Sequence, residues 1–506
     1  MAATPRRVSL GALLGETDGA VLVRGDPAAL VGGVTQDTRR LQAGDLFVAV
    51  PGLQRDGLEF VGRAIAAGAT AIVAEQYDHQ SVAPSTPFVV VPNARRALAD
   101  LSAAFYGHPS KHMAVVGVTG TDGKTSTTHL LSAILEAHGL TTGWLTTVNT
   151  KIAGALRPNA AEHTTPEAPV VQGALADMLA AGVDVAIVEA SSHALDLERV
   201  RGTHFQVGVF TNLSPEHLNF HGTFAAYRAA KARLFQQLPG YGLAVLNAGD
   251  PNSTFMREVT RARVLTYGIE RPAALSASNI RLSPSGTSFF LEPGGHEIRT
   301  RLVGRFNVSN WLAAFGAATY FDATPDDLSA AAAVQAPVPG RMNLVEGGQP
   351  FTVVVDFAHT PQALEKALET VRELVTGRLL LAFGLAGGRD FSNRPVMGAL
   401  AARNTDFFTI TQDDPAEEDT AAIAEQIAEG ARSAGAREGS RFTVELDRRA
   451  AIRLLLDRAE PGDAVLLAGK GHEQRMLVGD ERRPWNDARV AAELLAELGF
   501  RTQAVP

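Results

Sequence analysis

Short runs of apolar residues alternate with stretches of helical periodicity along most of the chain. Residues 113–118 form one such run without a polar side chain, and a Gly-rich turn and a helical pattern that ends before Gly139 follow it. Uninterrupted apolar runs are typical of parallel strands that helices cover on both faces. The alternation therefore predicts an α/β protein with doubly wound sheets.

Three blocks of this alternation predict three domains, 1–110, 111–336 and 337–506, the last beginning at a Pro-Val-Pro-Gly linker. We expect a small α/β domain, a central parallel sheet that carries the Gly-rich turn, and a Rossmann-like C-terminal α/β domain. The predicted strands are 46–50, 71–74, 88–92, 113–118, 183–188, 207–210, 351–355, 379–383, 407–410 and 464–467. The predicted helices are 60–67, 126–138, 308–320 and 326–334, and the polar insertion 281–301 predicts a β-hairpin.

Composition excludes several classes of protein. The 506 residues are 45% hydrophobic and 20% charged, which is typical of a folded chain of several domains and excludes disorder and a coiled coil. A net charge of −8 argues against non-specific nucleic-acid binding. The most continuous apolar run, 379–386, is far shorter than the roughly 20 residues that cross a membrane. The absence of cysteine excludes disulfides and thiolate chemistry and favours a cytoplasmic location.

The Gly-rich turn has the pattern of a phosphate-binding loop. It reads Gly-Thr-Asp-Gly-Lys-Thr-Ser between a predicted buried strand and a predicted helix. Its N–H groups and the helix N-terminus would bind a polyphosphate, Lys124 would reach the β- and γ-phosphates, and Thr125 would bind Mg²⁺. The central domain is therefore expected to resemble a P-loop ATPase. The candidate ATP ligands are Gly120, Thr121, Asp122, Gly123, Lys124, Thr125 and Ser126.

Two further segments offer metal ligands. Glu189 follows a predicted buried strand, where a carboxylate can bind the Mg²⁺ of a nucleotide. His217 and His221 have the i, i+4 spacing of a zinc site, but Pro215 and Gly222 predict a loop, so we favour His217 as a ligand of a hard cation. Lys231, in a helical Ala-Lys-Ala-Arg stretch, is by itself predicted to be an exposed surface lysine.

Together these segments resemble the Mur ligases, ATP-dependent amino-acid ligases of peptidoglycan precursor synthesis. The resemblance lies in 118–126, in Glu-Ala-Ser-Ser-His-Ala-Leu at 189–195, in 211–222 and in Gly-Arg-Phe-Asn-Val-Ser-Asn at 304–310. His-Thr-Thr-Pro-Glu at 163–167, Asp-Phe-Ala-His-Thr-Pro at 356–361 and Gly-Lys-Gly-His-Glu at 469–473 are similar to the members that add the third residue of the stem peptide.

The resemblance implies a role for each matching residue. Lys231 would be carbamylated and would bind Mg²⁺ with Thr125, Glu189 and His217. The N-terminal domain would bind the uridine diphosphate. Further ATP contacts would come from Asn307, Asn310, Arg341, Asp356 and His359. The UDP-muramoyl dipeptide would contact Thr38, Gln54, Thr164, Thr165, Ser191 and Arg199.

The resemblance also implies a mechanism. The terminal carboxylate of UDP-N-acetylmuramoyl-L-alanyl-D-glutamate would attack the γ-phosphate of ATP to give an acyl phosphate and ADP, and a free amino acid would then displace phosphate. Catalysis would be positioning and electrostatic stabilisation by Lys124, Lys231 and His217. We expect a cytoplasmic monomer that acts without nucleic acid or membrane.

Residues 413–416 bear on which amino acid is added. Diaminopimelate-adding members carry Asp-Asn-Pro-Arg, whose Arg binds the distal carboxylate, whereas this chain has Asp-Asp-Pro-Ala. The change favours L-lysine or L-ornithine, with diaminopimelate as the alternative. Arg389 would bind the α-carboxylate, and the remaining pocket would comprise Asp413, Asp414, Gly469 and Glu473.

Two different functions compete with this interpretation. One is a folylpolyglutamate synthase, a related ligase, against which the segments 163–167 and 469–473 argue. The second is a P-loop ATPase or nucleotide-binding module without ligase activity. Lys231 together with Glu189 and His217 argues against it, because a simple nucleotide switch would not require this second set of metal ligands.

Overall fold

The computed structural model describes residues 6–52, 55–77, 86–159, 164–283, 285–388 and 391–500. The chain divides into two compact units, and the division passes through the phosphate loop between Gly120 and Thr121. The first unit comprises residues 1–120, 138–213 and 221–265, and the second comprises 121–137, 214–220 and 266–506. The predicted domain boundaries at 110 and 336 stay a prediction.

The N-terminal part of the first unit is a five-stranded sheet with the order β2-β7-β6-β5-β4. All neighbours are parallel except β2, which lies antiparallel at the edge beside β7. Apolar side chains of α1 and α3 cover one face of this sheet, and those of α2 cover the other. The elements are β1 Val8–Ser9, α1 Leu10–Gly15, β2 Val21–Arg24, β3 Leu30–Val31, β4 Gly33–Thr35, β5 Asp45–Val48, α2 Val61–Ala66, β6 Ala71–Ala74, β7 Phe88–Val90 and α3 Ala94–Tyr106.

The parallel core predicted for the central sheet is confirmed, and antiparallel strands at both edges make the whole sheet mixed. Its strand order is β11-β10-β9-β12-β8-β13-β14-β15-β16-β17-β18, and β8, β9, β12, β13 and β14 are parallel. The elements are β8 Ala114–Thr119, α4 Lys124–Ala137, β9 Thr142–Leu145, β10 Asn149–Ile152, β11 Ala155–Pro158, α5 Ala168–Ala180, β12 Val185–Glu189, α6 Ser192–Asp196, β13 Val207–Phe210, α7 Leu218–His221, α8 Phe224–Gln236, β14 Leu243–Asn247, α9 Ser253–Val259, β15 Arg263–Gly268, β16 Leu275–Ser283, β17 Gly286–Glu292, β18 His296–Thr300, α10 Arg305–Ala318 and α11 Pro325–Val334.

The hairpin predicted at 281–301 is confirmed as β17 and β18. A third antiparallel strand, β16, begins earlier at Leu275, and the buried Phe289, Leu291 and Ile298 give the strands an apolar face. The segment predicted as a loop around Pro215 contains the short helix α7.

The C-terminal sheet, in the second unit, has the order β19-β20-β24-β21-β22-β23. Only β19 is antiparallel, and helices cover both faces, which explains why its central strands are wholly apolar. The carboxyl ends of β20, β22 and β24 lie at one edge and carry the candidate site residues that follow. The elements are β19 Asn343–Leu344, β20 Thr352–Asp356, α12 Pro361–Leu374, β21 Leu379–Phe383, α13 Asn393–Asn404, β22 Phe407–Ile410, α14 Thr420–Ser433, β23 Phe442–Val444, α15 Arg448–Arg458, β24 Ala464–Ala468, β25 Arg475–Val478, β26 Glu481–Pro484 and α16 Asp487–Glu497.

Candidate active site

The candidate phosphate loop follows β8 and leads into α4. The first main-chain hydrogen bond of α4 runs from Thr127 N to Gly123 O at 2.8 Å, so the N–H groups before it have no acceptor within the helix. The side chain of Lys124 folds back over the loop, and its Nζ donates to Thr121 O at 2.6 Å. Thr125 and Ser126 are buried in the first turn. The N-terminus of α4 therefore offers N–H donors, a lysine and a favourable dipole to an anion.

Both glycines of the loop are required by close approach of neighbouring groups. A Cβ at Gly120 would lie 1.8 Å from Thr211 Oγ1. Gly123 has a φ of +83°, and a Cβ there would lie 2.6 Å from Asn310 Oδ1. Any side chain would displace the segments that hold the loop, so the backbone path itself depends on these two residues.

The two candidate asparagines of α10 are buried beside the start of α4. Asn310 Nδ2 donates to Asn307 Oδ1 at 3.3 Å, and Thr127 Oγ1 donates to Asn310 Oδ1 at 3.5 Å. Asn307 Nδ2 in turn donates to Val303 O at 2.8 Å. These amides connect α10 to the helix that follows the phosphate loop.

Asp356, at the end of β20, holds the turn that carries Arg341. Its two carboxylate oxygens accept the backbone N–H groups of Met342 and Ala358 at 2.7 and 2.9 Å. Burial raises the pKa of Asp356, and Arg341 and the two N–H groups oppose this rise. The carboxylate is thus engaged with the protein backbone and fixes the turn around Arg341.

Arg341 and two histidines pack around the ring of Phe357. The Arg341 guanidinium lies 4.6 Å from the centroid of Phe357, and the rings of His359 and His472 lie 4.5 and 5.0 Å from it. Burial, together with Arg341, lowers the pKa of His472 to about 3, so this imidazole is neutral. The sequence motifs assigned no role to His472, whose surroundings become evident only in the fold.

Glu189 and Lys231 are both buried in the first unit. Glu189, at the end of β12, accepts Thr147 Oγ1 at 3.0 Å. Lys231, on α8, is 2% exposed, which corrects the expectation of a surface lysine. Its Nζ donates to Gly120 O at 2.6 Å and lies 4.7 Å from the ring centroid of Tyr227. The side chain therefore points to the start of the phosphate loop rather than into solvent.

The candidate magnesium ligands have the chemistry that a hard cation requires. Glu189 supplies a buried carboxylate, Thr125 a hydroxyl and His217 an imidazole. An ammonium cannot bind a metal, whereas a carbamate on Lys231 would supply a second carboxylate-like group. On this condition the chemistry of the four groups suits Mg²⁺.

Three candidate contacts of the muramoyl dipeptide cluster beyond β12. Thr165 Oγ1 donates to Glu189 O at 2.6 Å and accepts Ser191 N at 3.2 Å. Arg199 donates to Thr165 O at 3.1 Å, and its guanidinium pairs with Glu167 at 2.7 Å. Burial lowers the pKa of Arg199, although Glu167 opposes this. The sequence motifs that carry these residues thus meet at one strand end.

The remaining contacts predicted for this substrate are less closely associated. Thr164 is half-buried and precedes the cluster. Thr38 is half-buried in the N-terminal part, between Asp37 and Arg39, which form a salt bridge of 2.9 Å. The hydrogen bond from Arg39 lowers the pKa of Asp37. Gln54 lies outside the described residues.

The candidate amino-acid pocket contains an ammonium group of the protein itself. Carboxylate oxygens of Asp413, Asp414 and Glu473 lie within 4.8 Å of one another. The Nζ of Lys470 contacts Glu473 and lies 2.7 Å from Asp414 and 3.7 Å from Asp413. Burial raises the pKa of Asp413 and of Glu473, and Lys470 opposes both rises. A Cβ at Gly469, whose φ is +107°, would lie 2.5 Å from Asp413 Oδ2.

A buried ion pair beneath this pocket fixes two strand ends. The guanidinium of Arg448 forms a bidentate pair with Asp487 at 2.7 and 2.8 Å, and neither side chain is exposed. Arg448 also donates to Gln412 O at 3.1 Å and to Ala468 O at 2.8 Å. These carbonyls directly precede Asp413 and Gly469. No local pattern indicated this pair, because its members are 39 residues apart.

Ala416 is the residue at which the resemblance to diaminopimelate-adding members would imply an arginine. It has a φ of +52°, and its carbonyl accepts Gly479 N at 2.8 Å. The nearby Arg394 is buried and donates to Gln426 at 2.9 Å and to Glu418 at 3.1 Å. Arg389, predicted to bind the α-carboxylate, lies outside the described residues.

Within the described ranges, no helix is both long and apolar enough to cross a membrane. The cytoplasmic location and the monomeric state stay predictions.

Comparison with known proteins identifies three matching family models. The Mur ligase family catalytic domain matches residues 30–106, the Mur ligase middle domain matches 118–318, and the glutamate ligase domain of Mur ligases matches 340–471. These matches agree with the three-domain α/β fold expected from the sequence.

Proteins similar over nearly their whole length carry two different names. A UDP-N-acetylmuramyl-tripeptide synthetase of Roseiflexus sp. (strain RS-1) is 44% identical, over 93% of this chain and 95% of that protein. A UDP-N-acetylmuramoyl-L-alanyl-D-glutamate–2,6-diaminopimelate ligase of Geobacillus thermodenitrificans (strain NG80-2) is 40% identical, over 97% of this chain and 100% of that protein.

A solved structure of a UDP-N-acetylmuramoyl-L-alanyl-D-glutamate–2,6-diaminopimelate ligase has a TM-score of 0.67 and 28% identity, covering 97% of this chain and 99% of that one. These matches exclude a nucleotide-binding module without ligase activity. The chain belongs to the Mur ligase family and is an ATP-dependent, ADP-forming ligase that joins an amino acid to a UDP-N-acetylmuramoyl peptide.

Proposed function

We propose that this ligase adds L-lysine or L-ornithine to UDP-N-acetylmuramoyl-L-alanyl-D-glutamate. The observation that carries the proposal is the cluster of Asp413, Asp414 and Glu473, two residues from which the chain has Ala416 where the resemblance implies a carboxylate-binding arginine. Three carboxylates around one ammonium leave two negative charges if all are ionised. A substrate side chain that ends in an ammonium is attracted to such a site, whereas a second substrate carboxylate is repelled.

The geometry supports the following first step. The triphosphate of ATP lies on the N-terminus of α4, with Lys124 released from Thr121 O to reach the β- and γ-phosphates. The terminal carboxylate of the dipeptide attacks the γ-phosphorus, the bond to the bridging oxygen breaks, and ADP leaves. The product is an acyl phosphate. Donors fixed in advance of the reaction make this positioning effective.

The second step is attack by the amine of the incoming amino acid on the acyl carbon. The amine loses a proton, the new amide bond forms and inorganic phosphate leaves. Asp413, Asp414 and Glu473 would hold the distal ammonium, and Arg389 would hold the α-carboxylate. Arg448 fixes the strand ends that carry Asp413 and Gly469, so the amine approaches from a defined direction.

We propose that Mg²⁺ is bound by Thr125, Glu189, His217 and carbamylated Lys231. When bound, the metal would neutralise charge on the transferring phosphoryl group. The unmodified lysine at 231 donates to Gly120 O, and conversion to a carbamate would replace this cation by an anion. The proposed metal site requires this conversion, because an ammonium cannot bind Mg²⁺ and a carbamate can.

Diaminopimelate remains the second candidate, because the relative of Geobacillus thermodenitrificans is named a diaminopimelate ligase. The discriminating experiment is phosphate release with the UDP-dipeptide, Mg-ATP and one amino acid at a time. Turnover with lysine or ornithine and not with meso-diaminopimelate would support the proposal. Preference for diaminopimelate would contradict the charge argument but not the ligase reaction.

A further inference from the structure

Helix α12 of the C-terminal sheet contacts the segment before α10 through one face. A Cβ placed at Gly304 would lie 2.7 Å from Thr370 Cγ2, so these elements are in close approach. Phe306, two residues later, packs against the apolar core around α12. Thr370 lies one turn after Lys366, and its Oγ1 donates to Lys366 O at 2.7 Å. Residues four apart share a helix face, so Lys366 is on the docked side of α12.

Lys366 reaches the candidate phosphate loop from this face. Its Nζ lies 3.6 Å from Asp122 Oδ2, and the two side chains are 50% and 34% exposed. Asp122 stands between Thr121 and Gly123, within the loop proposed to bind the triphosphate. A carboxylate at that position repels phosphate oxygens unless a cation compensates its charge. One cation that the structure places beside it, Lys366, comes from the C-terminal part of the chain.

We infer that Lys366 is a positioning residue that neutralises Asp122 and thereby favours binding of ATP to the phosphate loop. The inference rests on the proposed ATP site. A different role, direct binding of a phosphate by Lys366, would not depend on Asp122.

A double-mutant cycle on the full chain separates these roles. Binding of Mg-ATP is measured by calorimetry for the unchanged protein, Lys366→Met, Asp122→Asn and the double variant. We expect Lys366→Met to weaken binding by about 5-fold in the presence of Asp122 and by less than about 2-fold in the Asp122→Asn background. Lys366→Arg should restore most of the affinity, since it keeps the charge.

Two further measurements complete the test. The 5-fold effect should shrink between about 50 mM and 300 mM salt, because both side chains are partly exposed. The matched control is Lys111→Met, an exposed lysine of the first unit, which should leave ATP affinity unchanged. Equal losses in the two Asp122 backgrounds, or no loss on Lys366→Met, would overturn the inference. Failure of the unchanged protein to bind ATP would overturn the proposed ATP site and the inference with it.

Discussion

Lys231 and Lys470 are both buried, and the contacts that the structure describes for them differ in kind. Lys231 donates to a backbone carbonyl and lies against an aromatic ring. Burial alone would lower the pKa of Lys470, but the three carboxylates around it raise that pKa. An ammonium held in this way is kept charged. Carbamylation needs the neutral amine, so the carboxylates around Lys470 oppose such a modification at 470, whereas carbamylation of Lys231 stays a proposal.

The largest expected effect is at Lys231. Lys231→Ala should lower ligase turnover by about 10³-fold, equivalent to about 4 kcal/mol of transition-state stabilisation, because a proposed metal ligand is lost. The measurement is phosphate release at saturating substrates. Partial recovery with added acetate or formate would show that the missing group is a carboxylate. Unchanged turnover would mean that Lys231 is not a metal ligand and does not differ from Lys470 in this respect.

Lys470→Gln should destabilise the fold by about 3 kcal/mol at neutral pH, because it leaves three carboxylates without their cation. Asp413 and Glu473 have raised pKa values, so the folded state favours their protonated forms. Stability from that preference is present below the ordinary pKa values, 3.8 and 4.5, and is lost as pH rises through the raised ones.

The melting-temperature difference between Lys470→Gln and the unchanged protein should therefore be small near pH 4.5 and large near pH 7.5. Thermal unfolding at the two pH values measures it. A difference that does not change with pH would mean that the carboxylates around Lys470 are not the cause.

A double variant of the candidate amino-acid pocket tests whether the charge around Lys470 sets the preference between amino acids. Asp414→Asn with Ala416→Arg should raise kcat/KM for meso-diaminopimelate relative to L-lysine by about 10-fold, through removal of one anion and addition of a bidentate cation. The introduced asparagine keeps an oxygen that can accept from Lys470 and from Leu477 N, as Asp414 does at 2.7 and 2.9 Å. Ala416→Met is the uncharged control and should leave the preference for lysine in place.

The smallest effect is expected at Lys151, a lysine that is 7% exposed and lies 4.5 Å from the Trp144 ring centroid. No role in the reaction follows from its position. Lys151→Met should change the free energy of unfolding by less than about 1 kcal/mol and leave turnover within about 2-fold. A large loss of turnover on Lys151→Met would show that this buried lysine takes part in the reaction although its contacts indicate no role.

Much of the fold could be predicted from local patterns. The strands Ala71–Ala74, Val207–Phe210, Leu379–Phe383 and Phe407–Ile410 have the predicted bounds, because apolar runs enclosed by helices have few other conformations open to them. The antiparallel strands β10, β11, β16, β17 and β18 are partly exposed and more polar, so their pattern is weaker. Helix α7 follows His217, whose φ of +55° no local propensity indicates.

The residues of the candidate site also fall into those that local sequence predicts and those that it does not. The phosphate loop could be predicted because its chemistry lies in seven consecutive residues. Lys470, Arg448 and Lys366 gained their significance from partners 56, 39 and 244 positions away, Asp414, Asp487 and Asp122 respectively. Contacts at such separations depend on strand order, which one sequence does not display. A Lys between two glycines at 469–471 was the one local signal that could have indicated an unusual environment.

Arg448 has a consequence for how this enzyme could acquire a new substrate. Apart from Asp487, its contacts are the main-chain oxygens of Gln412 and Ala468, which any residue at these positions would supply. The hydrogen bonds that hold these two strand ends are therefore independent of the side chains at 412 and 468. Residues 413 and 416 can change in identity without loss of these bonds, whereas a substitution at 414 must keep an acceptor for Leu477 N. Evolution or protein engineering could thus exchange one diamino acid for another by a few substitutions, without rebuilding the domain.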